Sequence, residues 1–247
     1  MVMSIYNVVG DMFDHFRDAF QKESRARLYD GQEVDDVVKD LKDWYRPPEV
    51  RTFLHDHFLQ QYGSIPLGEL HLHDLFTTMR TRSEGKGANG LVKVFFHIVT
   101  DGETIQAPEY SENHTVLFFL CALAALADRE EKSVLPEYDP KKKIAPILET
   151  TALNAIERLF PERSAKKTIL EKFKMVPKEN DIVDFSKVIS LIMDHYISET
   201  RRIASVLRNQ LQGLSDKNDV RTYVISFFYF SFFPRPLFLN ILHAHTH

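Results

Sequence analysis

Closely spaced histidines are the side chains of this chain that come nearest to a metal-binding pattern. His55 and His57 are two residues apart, and so are His71 and His73. On a helix, residues two apart point to different faces, so neither pair can hold one metal ion jointly. The HExxH and GxSxG motifs are absent, and Cys121 has no histidine partner in a known catalytic motif. The sequence therefore predicts no catalytic, cofactor-binding or metal-binding residues and indicates a protein that is not an enzyme.

A pattern that occurs twice, 40 residues apart, predicts the central elements of the fold. It covers residues 58–70 and 98–110. In each copy an apolar residue is followed seven residues later by an isoleucine, four later by a glutamate and one later by another apolar residue. This spacing is typical of an EF-hand helix–loop–helix, in which the mid-loop residues Ile65 and Ile105 would pair in a short ladder. We therefore expect a paired EF-hand, with ordinary helical hairpins as the alternative.

The two loops lack the side chains that calcium requires. The ion needs oxygen ligands at loop positions one, three and five and a bidentate glutamate at position twelve. Counted back from each glutamate, those first three positions hold Phe58, Gln60 and Tyr62 in one copy and Ile98, Thr100 and Gly102 in the other. Because none of them is a carboxylate, we interpret both loops as metal-free.

Two outer segments fit the same pattern less closely. In residues 13–32, Leu28 stands at the mid-loop position and Gln32 replaces the glutamate. Residues 183–192 are similar to the end of an EF-hand loop that runs into its exit helix. Lys187 stands at the twelfth position there, and its ammonium group only donates hydrogen bonds, so it would repel a cation.

Composition narrows the class of protein. The chain has 247 residues, of which 44% are apolar and 27% charged, as in an ordinary globular protein with a sizeable core. Its net charge of −4 provides no basic face for nucleic acid. A single cysteine excludes an internal disulfide, and the first residues lack a signal-peptide pattern. We therefore expect a cytoplasmic protein.

Apolar periodicity predicts an all-α fold of EF-hand pairs with additional packed helices. Helices are expected over residues 4–21, 32–45, 144–160, 164–174 and 184–211. The continuous apolar run at 115–127 is too short to cross a bilayer, so we expect a buried core helix there. The predicted units are an EF-hand-like helical domain at 1–130, a second helical subdomain at 131–215 and an irregular apolar tail at 216–247.

The tail differs in character from the rest of the chain. It is rich in phenylalanine, and the segment 234–236, Pro-Arg-Pro, interrupts its apolar run. Phenylalanine, serine, leucine and proline all have pyrimidine-only codons, which favours intron read-through and a truncated isoform. The alternatives are a contact with a membrane or partner and a genuine core segment. His243, His245 and His247 alternate at its end, a pattern that could bind copper or nickel weakly only in an extended chain.

The degenerate central pair, the loop at 96–110 and the segment from Val183 resemble the N-terminal region of certain TLDc-domain proteins. These are the EF-hand-containing, mTOR-associated proteins of lysosomes, and the resemblance covers residues 10–215. It implies a helical regulatory module ahead of a TLDc domain, with peripheral contact at the lysosomal membrane. Val2 stands where myristoylation needs glycine, and the TLDc domain is absent. A looser resemblance is to neuronal calcium sensors and calcineurin B, whose EF-hand pairs clasp a partner helix.

These observations together predict a non-catalytic regulatory or scaffold module. It would bind a protein partner through an EF-hand-like helical surface, without calcium or another cofactor, and we expect no nucleic acid partner. The alternatives are a membrane-associated adaptor that uses the apolar tail and an enzyme with an unrecognised site.

Overall fold

The computed structural model describes residues 2–29, 50–84, 89–100, 112–127, 135–139 and 141–211, and most of these are helical. The helices are α1 (Val2–Tyr29), α2 (Val50–Tyr62), α3 (Ile65–Ser83), α4 (Gly90–Thr100), α5 (Glu112–Leu126), α6 (Glu149–Leu159), α7 (Arg163–Phe173) and α8 (Phe185–Leu211). Three short strands, β1 (Pro146–Leu148), β2 (Lys178–Glu179) and β3 (Ile182–Asp184), form the order β1-β3-β2. The predicted helical class is confirmed for these residues, with the small sheet as an addition.

Helix α5 is the predicted core helix. Helices α4, α6 and α8 all pack against it. Its buried side chains come from all round the helix: Val116, Phe118, Phe119, Cys121, Ala122, Leu123, Ala125 and Leu126. The ring of Phe118 stacks on Tyr196 of α8 at a centroid distance of 3.8 Å. A helix that is apolar on every face is stable in water only when neighbours cover it in this way.

Helix α8 packs against helices on both sides of residue 130, the predicted boundary between the two helical units. Its residues Val188, Ile189, Ile192, Met193 and Tyr196 are all buried. They recur at helical spacing and form one apolar face, which packs against α4, α5 and α7. The buried apolar residues form one cluster whose members lie on both sides of the predicted unit boundary at residue 130.

The first copy of the repeat is a tight helical hairpin, and the prediction of an EF-hand loop there was wrong. Only Gly63 and Ser64 separate α2 from α3. Gly63 has φ of 63°, and its N–H donates to the Leu59 carbonyl at 2.9 Å, which ends α2 in the left-handed conformation that favours glycine. Pro66 lies in the first turn of α3, where its missing N–H costs nothing. Ile65 is therefore helical rather than part of a strand.

The other predicted loops have different outcomes. Helix α1 continues through Leu28, so the EF-hand-like loop predicted at that residue was also wrong. Ile105 and the loop of the second copy lie outside the described residues, as do the helix expected at 32–45 and the tail from 216. The beginning of the helix predicted at 144–160 is instead β1, because Pro146 to Leu148 pair with β3.

In the late segment the helix predicted at 184–211 is present as α8, and the residues directly before it form a strand. β3 pairs antiparallel with β1, and Ile147 lies directly opposite Val183. β2 and β3 form a hairpin whose two turn residues, Asn180 and Asp181, have φ of 51° and 61°. Positive φ at both residues is the conformation of the tight turns that suit twisted hairpins. The helix α8 follows at once from Phe185.

Candidate functional site

One histidine of each pair, His57 of α2 and His71 of α3, has aromatic contacts. His57 stacks on Phe53 at 5.6 Å, and His71 stacks on Tyr62 at 4.0 Å. The Nε2 atom of His57 also lies 3.8 Å from the Asp11 carboxylate, while His55 is exposed. In the part of the chain that the structure describes, no three His, Cys, Asp or Glu side chains come together in a group that could hold a metal ion.

A polar junction lies where α1, α4 and the start of α8 meet. The hydroxyl groups of Tyr6 and Ser186 are hydrogen-bonded, and the Asn89 side chain also bonds Tyr6. Asn89 additionally caps α4, since its Oδ1 accepts from the Val92 N–H at 3.1 Å. A Cβ added to Gly90 would collide with the Ser186 carbonyl and lie 2.7 Å from the Ser190 Cβ. Only glycine permits this approach of α4 to α8.

Asp184 caps α8 beside this junction. Its Oδ1 accepts from the backbone N–H groups of Ala145 and Ser186, both at 3.2 Å, and the Phe185 N–H donates to the Ala145 carbonyl at 2.8 Å. Burial raises the pKa of the Asp184 carboxyl, an effect that the two N–H donors only partly offset. These contacts join the residue before β1 to the junction of β3 with α8.

The Tyr6 hydroxyl is a poor base or nucleophile in this environment. Burial raises its pKa to about 12, and the hydrogen bonds from Ser186 and Asn89 oppose that shift without reversing it. A phenol with such a pKa stays protonated at neutral pH, so it acts as a hydrogen-bonding group. The junction therefore fastens three helices together and supplies no activated group.

His195 is a further buried titratable side chain with a specific partner. Its Nε2–H donates to the Ala165 carbonyl of α7 at 3.0 Å, and its ring meets Phe160 edge to face at 4.9 Å. Burial lowers the pKa of His195, Lys172 lowers it further, and Glu199 raises it. The lowered pKa favours the neutral imidazole, and the bond from its Nε2–H attaches α8 to α7.

A cluster of exposed apolar side chains lies at the start of α3. Ile65 is 58% exposed, Leu67 48% and Leu70 55%, and we call these three residues the α3 patch. Leu67 and Leu70 are three residues apart and share one side of α3, whereas Ile65 projects from a different side of its first turn. The buried face of α3 is formed instead by Gly68, Leu75 and Met79. Because Leu67 and Leu70 fall outside that helical row, no neighbouring helix of the described residues covers them.

Sequence reasoning overlooked most of these groups. Asp184 had a usable signal, since an aspartate directly before an apolar helix is a common N-cap. The α3 patch had a weaker one, because Leu67 and Leu70 interrupt the period of the buried face. Tyr6 and His195 had none, since their partners are 180 and 30 residues away along the chain.

Two further findings concern membrane-spanning helices and similarity to known proteins. None of the described helices is both long enough and apolar enough to cross a membrane. Comparison of the chain with protein-family models, curated proteins and solved structures found no match in any of the three.

Proposed function

We propose that this chain is a non-catalytic module that binds a protein partner at the α3 patch. One observation carries the proposal: three of the five large apolar side chains exposed in the described residues lie within six positions of one another. Single exposed apolar residues are ordinary, but a local group of them is typical of a protein contact site. A partner that covers the side of α3 shared by Leu67 and Leu70, and that reaches round the first turn to Ile65, would remove this apolar surface from water.

The arrangement of titratable groups supports a role without catalysis. Acid–base chemistry needs groups of shifted pKa that converge on a place where substrate can sit. Tyr6 and Asp184 have shifted pKa values, yet their polar atoms bond the protein itself. His195 is 1% exposed and bonds a backbone carbonyl. We therefore assign Tyr6, Asp184 and His195 a role in holding the fold together rather than in catalysis.

We further propose that β1 with α6 and β3 with α8 are the loop ends and exit helices of a degenerate EF-hand pair. The antiparallel pairing of Ile147 with Val183, and the helices that follow each strand, support this assignment. Paired EF-hands join their loops through such a mid-loop ladder. The pair would then lie later in the chain than residues 58–110.

This register also supports binding without calcium. With Val183 at the eighth loop position, Lys178 is third and Lys187 twelfth. With Ile147 at the eighth, Lys142 is third and Thr151 twelfth. Lysine at ligand positions repels a cation, and no bidentate glutamate closes either loop. Calorimetric titration should detect no site in the sensor range of ~10⁻⁷ to 10⁻⁵ M, and a stoichiometric event in that range would refute the assignment.

A place in mTOR-linked signalling at lysosomes is part of the proposal and rests on the resemblance of residues 10–215 alone. It predicts that partners recovered from cells include lysosomal proteins. Recovery of partners from other compartments only would remove this part and leave the binding role intact.

The binding role is tested with a matched pair of variants. Leu70 and Leu148 are 55% and 57% exposed and lie on different elements, so Leu70→Ser and Leu148→Ser remove similar apolar surface. Partners of the wild-type chain are first identified by quantitative affinity purification, and binding is then measured with the purified partner. We expect Leu70→Ser to weaken binding about tenfold, as a central apolar contact does, and Leu148→Ser to leave it unchanged. Equal effects of both variants, or a measurable turnover with no partner, would overturn the proposal.

A further inference from the structure

Helix α7 carries a row of cations on its exposed face. Arg163, Lys167 and Lys174 are four and seven residues apart, a spacing that places them on one side of the helix, and half-buried Lys166 flanks them. We call these four residues the α7 stripe. The opposite side packs into the fold through three buried residues, Ala165, Ile169 and Phe173.

The charge of the α7 stripe is only partly compensated locally. Residues 162–179 contain six basic residues and three acids, Glu162, Glu171 and Glu179, a local excess of positive charge in a chain whose net charge is −4. Lys178 pairs with Glu149, but in the ranges that the structure describes no ion pair involves a stripe residue. The first turn of α7 has no acidic residue, so Arg163 and Lys166 face the positive end of the helix dipole. This arrangement disfavours the isolated helix and favours a bound anionic surface.

An exposed apolar side chain lies directly beyond the stripe. Met175 is 78% exposed, the largest value among the exposed large apolar side chains of the described chain. It follows Lys174 after the end of α7. The exposed side of a helix is convex, and Met175 is exposed just beyond the C-terminal end of this one. A convex face with cations and a protruding apolar tip matches a lipid surface, which offers anionic headgroups above apolar chains.

We propose that α7 and Met175 dock this protein on an anionic lipid bilayer. The stripe cations contact lipid phosphate and carboxylate groups, and the Met175 side chain enters the boundary between headgroups and acyl chains. An acidic protein segment would satisfy the cations, but it gives no reason for the exposed methionine. The inference is independent of the α3 patch and goes beyond the proposed partner binding.

Vesicle co-sedimentation of the full chain tests the proposal. Phosphatidylcholine vesicles with and without phosphatidylserine are compared, and the variant is Arg163→Glu/Lys167→Glu/Lys174→Glu. Each cation near an anionic surface contributes about fivefold to affinity, so the variant should bind anionic vesicles at least ~100-fold more weakly. Binding of the wild-type chain should weaken as salt rises, because the Debye length falls from ~10 Å at 0.1 M to ~3 Å at 1 M.

The matched control is Arg82→Glu/Lys141→Glu/Lys142→Glu, which changes net charge equally at three exposed positions outside α7. It should retain binding within about fivefold. Met175→Ser should weaken binding, and Leu148→Ser should not. Thermal unfolding by circular dichroism confirms that each variant is folded, which is expected because the substituted side chains are exposed.

Several results would overturn the proposal. These are no binding of the wild-type chain to anionic vesicles, equal binding to neutral ones, and equal loss in the α7 variant and the control. The first would leave an acidic protein as the ligand for the stripe, the second would indicate an apolar contact elsewhere in the chain, and the third would reduce the effect to net charge.

Discussion

The hairpin of α2 and α3 and the later segment from β1 to α8 match the same helix–loop–helix spacing, yet they fold differently. In the hairpin, Gly63 ends one helix and the next begins two residues later. In the later segment, Lys174 to Asp184 separate α7 from α8 and contain β2 and β3. The difference lies in the mid-loop apolar residue. Val183 has a partner strand at Ile147, whereas Ile65 has helical backbone and an exposed side chain.

Apolar spacing therefore does not by itself distinguish a strand-containing loop from a short turn. A glycine that can adopt positive φ, followed closely by a proline, favours the short turn. An extended mid-loop segment persists when another chain segment satisfies its backbone hydrogen bonds. The four predictions below test where the two regions differ and how they are joined.

Gly90→Ala should have the largest effect, because it separates the start of α8 from α4, the helix that packs against both the α2–α3 hairpin and α8. The new methyl group would collide with the backbone carbonyl of Ser186, which cannot move aside as a flexible side chain could. We expect a loss of about 3 kcal/mol or more in the free energy of unfolding, measured by urea denaturation. Gly10→Ala is the control, since nothing lies within 4 Å of its added Cβ and alanine favours a helix. A similar loss in both variants would contradict the close approach.

Ile147→Ala and Ile65→Ala compare the two mid-loop positions with one substitution. Ile147 is 7% exposed and lies opposite Val183, so its truncation should cost about 2–4 kcal/mol of unfolding free energy. Ile65 is 58% exposed, and its truncation should change that free energy by less than about 0.5 kcal/mol. Chemical denaturation of both variants measures the difference. A large cost at Ile65 would mean that a segment outside the described residues covers it.

The pH dependence of stability should depend on His195 in the later region. Burial lowers the folded-state pKa of this histidine. As pH falls, the imidazole is therefore protonated at a higher pH in the unfolded chain than in the folded protein. Its stabilising contribution is therefore full above the unfolded pKa of about 6.5 and is lost progressively below it. Urea unfolding at pH 8 and pH 5 should show the smaller free energy at pH 5. His195→Gln should reduce this difference, whereas His55→Gln, at an exposed position of α2, should leave it unchanged. Equal slopes in all three proteins would contradict the assignment.

The two turns should respond oppositely to a change of backbone freedom. Gly63→Ala places a side chain at φ of 63° and should lower the melting temperature through a loss of about 1 kcal/mol. Asp181→Gly relieves a non-glycine residue at φ of 61° and should be neutral or stabilising by a few tenths of a kcal/mol. Thermal unfolding followed by circular dichroism resolves the two signs. A stabilising Gly63→Ala would show that α2 does not end in the left-handed conformation.

Local patterns in the sequence determined the helical class, the core position of α5 and the start of α8. These follow from apolar periodicity, helix caps and length, which act within a few turns of chain. The helix predicted from residue 184 was therefore close to α8, which begins at Phe185, whereas the prediction at 58–70 missed the signal of Gly63 and Pro66.

Tertiary structure alone decided which apolar segment became a strand and which polar groups met. β3 is a strand because β1, about 35 residues earlier in the chain, satisfies its backbone, and no local pattern specifies that pairing. Tyr6 and Ser186 are 180 residues apart, and Gly90 brings α4 close enough to complete their junction. Such contacts depend on how whole helices pack, because burial and hydrogen bonding are satisfied over the entire core rather than residue by residue.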